Sequence, residues 1–280
     1  MRVLVYADAG KSGGISLEWL AVLAGTLPVE ATLLLAYDRV ASGVTQLEPL
    51  VQFVRSHGGE VRVETTDGTR ASSAIVAEAR RSTYDLLILP PSLRGGAHGL
   101  LRGSRLGAVV RNVGCGILIA HPPARSPRQI LMCVGGGPHT EIDAEVAASV
   151  AQAFGAQVNI LHIVSQVPLV YNGLEDLRSH LGQFLASPTP AARQLERAQA
   201  ILSEHGVTHD LLVREGIVVD QIMEEIRVGG YDLLVIGAHE RGSGTLLQFF
   251  LEDLSDDLSH RSPIATLIVQ GPEGWRAGAT

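Results

Sequence analysis

The chain has 280 residues, a formal net charge of −7, 46% apolar residues and only 4% aromatics. At roughly 150 residues per domain this length suits two domains, with cores built from Leu, Val, Ile and Ala. The apolar content excludes a disordered chain, and the acidic balance argues against a general nucleic-acid binder.

Short β-rich runs alternate with helical patterns. In chain order the first half shows Val3–Ala7, then a helix over 16–26. A strand over Ala31–Tyr37 and a helix over 46–57 follow, then a strand over Glu60–Glu64 and a helix over 70–82. Leu86–Leu89, a helix over 104–113 and Gly116–Ala120 complete the half. Near-continuous apolar strands separated by helices predict a parallel sheet covered on both faces. The order then recurs as strands Ile130–Val134, Gln157–Val164, His209–Val213, Leu233–Ile236 and Ala265–Val269. The best internal match is Tyr84-Asp85-Leu86-Leu87-Ile88-Leu89 with Tyr231-Asp232-Leu233-Leu234-Val235-Ile236. Between the halves lies His121-Pro122-Pro123-Ala124-Arg125-Ser126-Pro127, which can continue neither strand nor helix. The expected fold class is therefore α/β. It comprises two tandem open five-stranded, mostly parallel sheets with helices on both faces, over domains 1–124 and 128–271. Residues 165–190 form an extra segment, with Leu174–Arg178 as a short helix candidate.

Two cysteines, Cys115 and Cys133, have neither a disulfide framework nor metal-ligand spacing. No apolar run reaches the ~18 residues of a membrane span. The opening residues enter a strand at once, without a signal-peptide pattern. The expectation is a cytoplasmic protein with no membrane and no nucleic acid among its partners.

Open α/β sheets bind ligands at the carboxyl ends of their strands. After the fourth strand comes Pro90-Pro91-Ser92-Leu93-Arg94-Gly95-Gly96-Ala97-His98-Gly99, then Leu100-Leu101-Arg102-Gly103-Ser104-Arg105. No Asp or Glu occurs from Leu86 to Thr140, while Arg94, Arg102, Arg105, Arg111, Arg125 and Arg128 do. Glycines let backbone N–H groups approach an anion, and Gly103-Ser104 opens a helix, so the loop points to phosphate. Ser104 as a plain N-cap is compatible with that role. The matching loop of the second half, Gly237 to Thr245, includes His239 as a contact candidate. It runs on to Glu252-Asp253 and Asp256-Asp257. Those carboxylates would repel phosphate. They read as a solvated helix face, or alternatively as Mg²⁺ ligands.

Asp8 ends the first strand, where it can accept from a base or ribose, or fold over its own backbone. Gly10-Lys11-Ser12 lacks the glycine five residues earlier that a phosphate loop requires; Val5 stands there. The second half has Gly135 in place of the acid. His162, inside a strand, reads as a core or rim histidine. No nucleophile elbow, zinc helix motif or base with a partner is present, so no catalytic or metal-binding residue is assigned.

The run Gly229-Gly230-Tyr231-Asp232-Leu233-Leu234-Val235-Ile236-Gly237-Ala238-His239-Glu240-Arg241-Gly242 resembles the "ADLIVMGTHGRG" signature of the universal stress protein family. Gly103-Ser104-Arg105 through Ile117-Leu118-Ile119 resembles that family's "GS…CPVLVV" ending. The resemblance covers the chain once per half. It implies an adenine nucleotide-binding fold and a stress or regulatory role. ATP or a related adenine nucleotide would be held by Asp8, Gly95, Gly96, Gly103, Ser104 and Arg105. Arg94, Arg102, Gly237 and His239 are secondary contacts, and Mg²⁺ could accompany the phosphates. Pro90 and Leu93 replace the first two motif glycines in the first half. Glu240 and Glu252-Asp253 replace motif residues in the second, which reads as a degenerate copy. Val3 to Lys11 also resembles the start of electron-transfer flavoprotein α subunits, over one strand and turn. Three roles stay open: a nucleotide-binding regulator, an interaction scaffold or dimerisation module without nucleotide, and a slow ATP hydrolase. An intramolecular pseudo-dimer of the halves, or a homodimer through the fifth strands, is the expected assembly.

Overall fold

The computed structural model describes residues 1–8, 11–66, 71–93, 105–164, 189–238 and 261–270. They fall into two compact units, Met1–Ser126 with Ala238–Thr280, and Pro127–Gly237.

Unit 1 opens with β1 (Arg2–Ala7), whose residues from Val3 onward are all buried. It continues through α1 (Lys11–Ala24), β2 (Glu30–Ala36), α2 (Tyr37–Ser56), β3 (Glu60–Thr66) and α3 (Ala71–Arg81). Then come β4 (Leu86–Leu89), α4 (Arg105–Val110) and β5 (Gly116–Ile119). The strands run β3-β2-β1-β4-β5, all parallel. β1, β4 and β5 are apolar on both faces, as a covered parallel sheet demands. β3 lies at the edge and is accordingly half polar, with Val63 exposed. Leu20 and Leu23 of α1 and Val54 of α2 are buried, as are Ile75 of α3 and Leu106 and Val109 of α4. Trp19 Nε1 donates to the His121 carbonyl at 2.9 Å and ties α1 to the chain leaving β5. The Pro122–Pro123 bond of the linker is cis.

Helix bounds differ from the sequence reading most at two N-termini, and α4 stops at Val110 rather than 113. α1 begins at Lys11 rather than 16, so Lys11 and Ser12 lie in its first turn. α2 begins at Tyr37 rather than 46. Ser42, Gly43 and Thr45 are weak helix formers and hide this stretch from a propensity reading.

Unit 2 contains β6 (Gln129–Val134), α5 (Thr140–Phe154), β7 (Gln157–Val164) and α6 (Pro190–Glu204). β8 (His209–Glu215), α7 (Val218–Gly229) and β9 (Leu233–Gly237) follow. Its strands run β9-β6-β7-β8, again all parallel. That is the first unit's 4-1-2-3 arrangement repeated. α5 ends at Gly155, left-handed with φ 65°. Thr189 caps α6 by accepting from Ala192 N–H at 3.2 Å, with Pro190 at the first helical position.

The last strand, β10 (Ala265–Val269), pairs antiparallel with β5, Leu267 opposite Leu118. Gln270 Nε2 donates to the Val110 carbonyl at 2.7 Å in the same unit. The repeat read in sequence as 128–271 is thus not the same segment as the compact unit, which ends at Gly237. The proline-rich linker coincides with the unit boundary at Ser126 and Pro127. The segment 165–188, with its helix candidate over Leu174–Arg178, lies outside the described residues.

Candidate functional site

In unit 1, β1 leads to β2 on one side and has β4 on the other. The strand order reverses there, and the crevice beyond the carboxyl ends of β1 and β4 is the expected ligand position. Register places Val3 beside Leu86, Leu4 beside Leu87 and Val5 beside Ile88. The two strands therefore leave the sheet side by side, β1 into Asp8 and β4 into Pro90. Asp8 is half-buried. Pro91–Leu93 make one tight turn closed by Leu93 N–H to the Pro90 carbonyl at 3.3 Å, and Leu93 is buried. Arg105 is the first residue of α4. Arg94, Gly95, Gly96, Arg102, Gly103, Ser104 and His239 lie outside the described residues. Gly237 is the last residue of β9, in the other unit.

The corresponding crevice of unit 2 is built differently. Its first strand is followed by Gly135, which is exposed and carries no side chain to accept from a ligand. Gly136 follows with φ 70°, and a Cβ there would lie 2.9 Å from the Ala191 Cβ and 3.2 Å from His162 Cε1. Glycine is thus required both by the backbone and by the close approach of α6. His162 is a buried histidine whose Nδ1 donates to the Val134 carbonyl at 3.0 Å. Burial holds its pKa below the ordinary 6.5.

At the opposite ends of the strands the repeated Tyr-Asp pair has a structural role that its sequence match did not disclose. Asp85 Oδ2 accepts the Arg2 N–H at 2.6 Å, and Asp232 Oδ2 accepts Arg128 N–H at 2.8 Å and Gln129 N–H at 3.1 Å. Each acid satisfies backbone donors where the unit's first strand begins. Tyr84 OH donates to Glu78 Oε1 at 2.8 Å, and Tyr231 OH donates to Glu225 Oε1 at 2.8 Å. Arg62 Nη2 donates to Glu78 Oε1 at 2.6 Å, and Arg214 pairs with Glu225 Oε2. Burial raises the pKa of both phenols, Tyr231 to about 12. Tyr84 and Tyr231 lie just before β4 and β9 begin, at the strand ends opposite the crevice. A polar cavity of about 450 Å³ lies beside Tyr84, lined by Arg80, Arg81, Ser82, Thr83, Asp85 and Cys115 among others. Among the described residues no group of three His, Cys, Asp or Glu is placed to hold a metal ion. No helix among them is long and apolar enough to cross a membrane.

The sequence profile described as the universal stress protein family matches residues 127–270. The chain belongs to the universal stress protein family. A universal stress protein of Thermus aquaticus, encoded in a QAH/OAS sulfhydrylase 3′ region, is 28% identical over 148 residues. The match covers 51% of this chain and 98% of the relative. A crystal structure of a universal stress protein from Archaeoglobus fulgidus superposes with TM-score 0.65 at 14% identity, covering 96% of both chains. A putative universal stress protein from Pseudomonas aeruginosa superposes with TM-score 0.66 at 17% identity, covering 97% of this chain and 94% of that one. At those identities the structural likeness speaks for the fold: α/β, mostly parallel, of the adenine nucleotide α-hydrolase-like type, along nearly the whole of a universal stress protein.

Proposed function

We propose that the crevice of unit 1 binds an adenine nucleotide and that the chain is a stress-response or regulatory binding protein rather than an enzyme. The observation that carries this reading is Asp8, which follows β1 at the reversal of strand order, beside the end of β4. A carboxylate accepts from ribose hydroxyls or an adenine amino group. The described part of the crevice supports that half of the ligand with a half-buried acceptor at a sheet end. For the phosphate half the proposal takes Gly95, Gly96, Gly103, Ser104 and Arg105 from the sequence. Arg94 and Arg102 add charge, while Gly237 and His239 stay weaker candidates belonging to the matching loop of the second repeat. When bound, ATP would bring its phosphates and an accompanying Mg²⁺. Asp8 would orient the nucleoside and the arginine-rich loop would neutralise the phosphates.

The test is mass spectrometry of small molecules released from the purified, heat-denatured protein, followed by calorimetric titration with ATP, ADP and AMP. Asp8→Ala removes a charged hydrogen-bond acceptor worth ~1.5–3 kcal/mol, so affinity falls at least about tenfold. Unchanged affinity in Asp8→Ala combined with Ser104→Ala, or no binding at all, overturns the reading.

A scaffold without nucleotide is the second reading. It is favoured by unit 2, where Gly135 replaces the acid and α6 closes on Gly136. In that reading the function-bearing surface is a pseudo-twofold packing of the two repeats, 1–124 and 128–271, or a homodimer through the fifth strands; the antiparallel β5–β10 ladder supports the first.

A further inference from the structure

β8 is the outermost strand of unit 2, with β7 on one side and no strand on the other among the described residues. Its backbone orientation follows from two hydrogen bonds. Val158 N–H donates to the Thr208 carbonyl at 3.0 Å, and Gly216 N–H donates to the Val164 carbonyl at 3.2 Å. In a parallel ladder alternate residues direct both backbone groups to one neighbour. Residues 208, 210, 212, 214 and 216 therefore face β7. His209, Leu211, Val213 and Glu215 turn their N–H and C=O groups outward. The side chains along this edge read His209-Asp210-Leu211-Leu212-Val213-Arg214-Glu215. Asp210 and Glu215 are exposed and the rest are half-buried.

We infer that two copies of this chain join along β8 as an antiparallel pair whose two-fold axis passes through Leu212. In that register His209 lies opposite Glu215, Asp210 opposite Arg214, Leu211 opposite Val213, and Leu212 opposite itself. The odd-numbered residues, whose backbone groups are free, fall opposite one another and form the hydrogen-bonded pairs. The even-numbered ones form the closer non-hydrogen-bonded pairs, so opposite charges meet where side chains are nearest. The Asp210–Arg214 charge pair occurs twice by symmetry. A shift that keeps the backbone bonds moves the axis to Leu211 or Val213. Asp210 then falls opposite Leu212 or Gly216, and every charge pair is lost. Charges on an edge strand ordinarily prevent pairing; here their order is palindromic and makes one register attractive. Arg214 keeps its contact with Glu225, because a guanidinium has five donors in a fork. This assembly is independent of nucleotide binding in unit 1.

The experiment combines a cysteine scan with sedimentation equilibrium on the full chain. Leu212→Cys places two thiols opposite each other at a Cβ separation near ~4.5–5.5 Å, close to disulfide reach. Mild oxidation should give a covalent dimer on a non-reducing gel, whereas Leu211→Cys, opposite Val213, should not. In sedimentation the wild type should dimerise with concentration, and Asp210→Arg should raise the dissociation constant about tenfold or more by turning two attractive pairs repulsive. Asp210→Arg with Arg214→Asp in one chain restores complementarity and should restore the dimer. If that double variant fails to fold, Leu211→Pro decides. Its missing amide faces away from β7, so it should abolish the dimer while leaving the β7–β8 ladder intact. A wild type that stays monomeric at about 100 μM, equal cross-linking of Leu212→Cys and Leu211→Cys, or a dimer indifferent to both Asp210→Arg and Leu211→Pro overturns the inference.

Discussion

The two units answer one electrostatic problem with different numbers of cations. The Glu225 side chain is 7% exposed and its arginine partner is Arg214, 32% exposed. Arg227 is engaged elsewhere, 2.6 Å from Glu224. The Glu78 side chain is 4% exposed but meets two arginines, Arg62 at 2.6 Å and Arg81 at 3.4 Å. Replacing Arg214 by Met leaves a buried carboxylate with only the Tyr231 hydroxyl donating to it among the described residues. Breaking a buried pair this way costs about 3 kcal/mol. Replacing Arg62 by Met leaves Arg81 and Tyr84 in place. Arg62 is also 54% exposed, so solvent already screens its pair, and the loss should be well below that of Arg214→Met. With a urea dependence of roughly 2 kcal/mol per molar, the Arg214→Met midpoint should fall by about 1.5 M and the Arg62→Met midpoint by much less. Circular dichroism in urea gives the midpoints. Hydrogen exchange of peptides from β8 and β9 against β3 and β4 assigns each transition to its unit. Equal shifts, or a larger shift for Arg62→Met, would refute the argument that the number of neighbouring cations decides the cost.

Three further outcomes follow from the structure. Burial lowers the pKa of His162 in the folded chain, so below about pH 6.5 the unfolded chain takes up the proton first. Stability is full above that pH and declines as pH falls toward the folded pKa. The melting temperature should drop between about pH 7 and 5.5, and His162→Asn should flatten the His162 part of that slope. Gly136→Ala should lower stability by about 2 kcal/mol or more, since it combines φ 70° with a Cβ 2.9 Å from Ala191. Gly155→Ala, with φ 65° but open space, should cost about 1 kcal/mol; equal melting curves for the two would contradict this. Burial pushes the Cys115 thiol up to about 12 and raises Cys133 as well. Buried Cys115 should not react with a thiol reagent near pH 8 until the chain is unfolded, and half-buried Cys133 should react slowly; rapid native labelling of Cys115 would count against its burial.

The local chemistry of the chain was enough to establish the ten strands, their repetition and the linker, because burial on both faces demands unbroken apolar runs and proline ends them. Leu86–Leu89, Gln157–Val164 and Ala265–Val269 emerge with the bounds their apolar runs suggest. Asp8 was singled out by its place at a strand end, and the reversal of strand order between β1 and β4 makes that place a crevice. The partners of Glu78 and Glu225 were not legible. Register links Leu87 to Leu4, Thr32 and Arg62 across unit 1, and Leu234 to Leu131, Asn159 and Asp210 across unit 2. The repeat equivalent of Arg62 is therefore Asp210, and the cation for Glu225 comes from Arg214, four residues farther along the strand. Likewise Ala265–Val269 reads as the fifth strand of a second repeat, yet it hydrogen-bonds antiparallel to β5. Periodicity and propensity act over a few residues and are written in the chain. Which edge a strand joins depends on groups brought together across more than a hundred residues. Which arginine reaches a buried acid depends on how a strand packs against the helix that follows it, over 16 residues for Arg62 and Glu78 and 11 for Arg214 and Glu225. Only tertiary packing decides either.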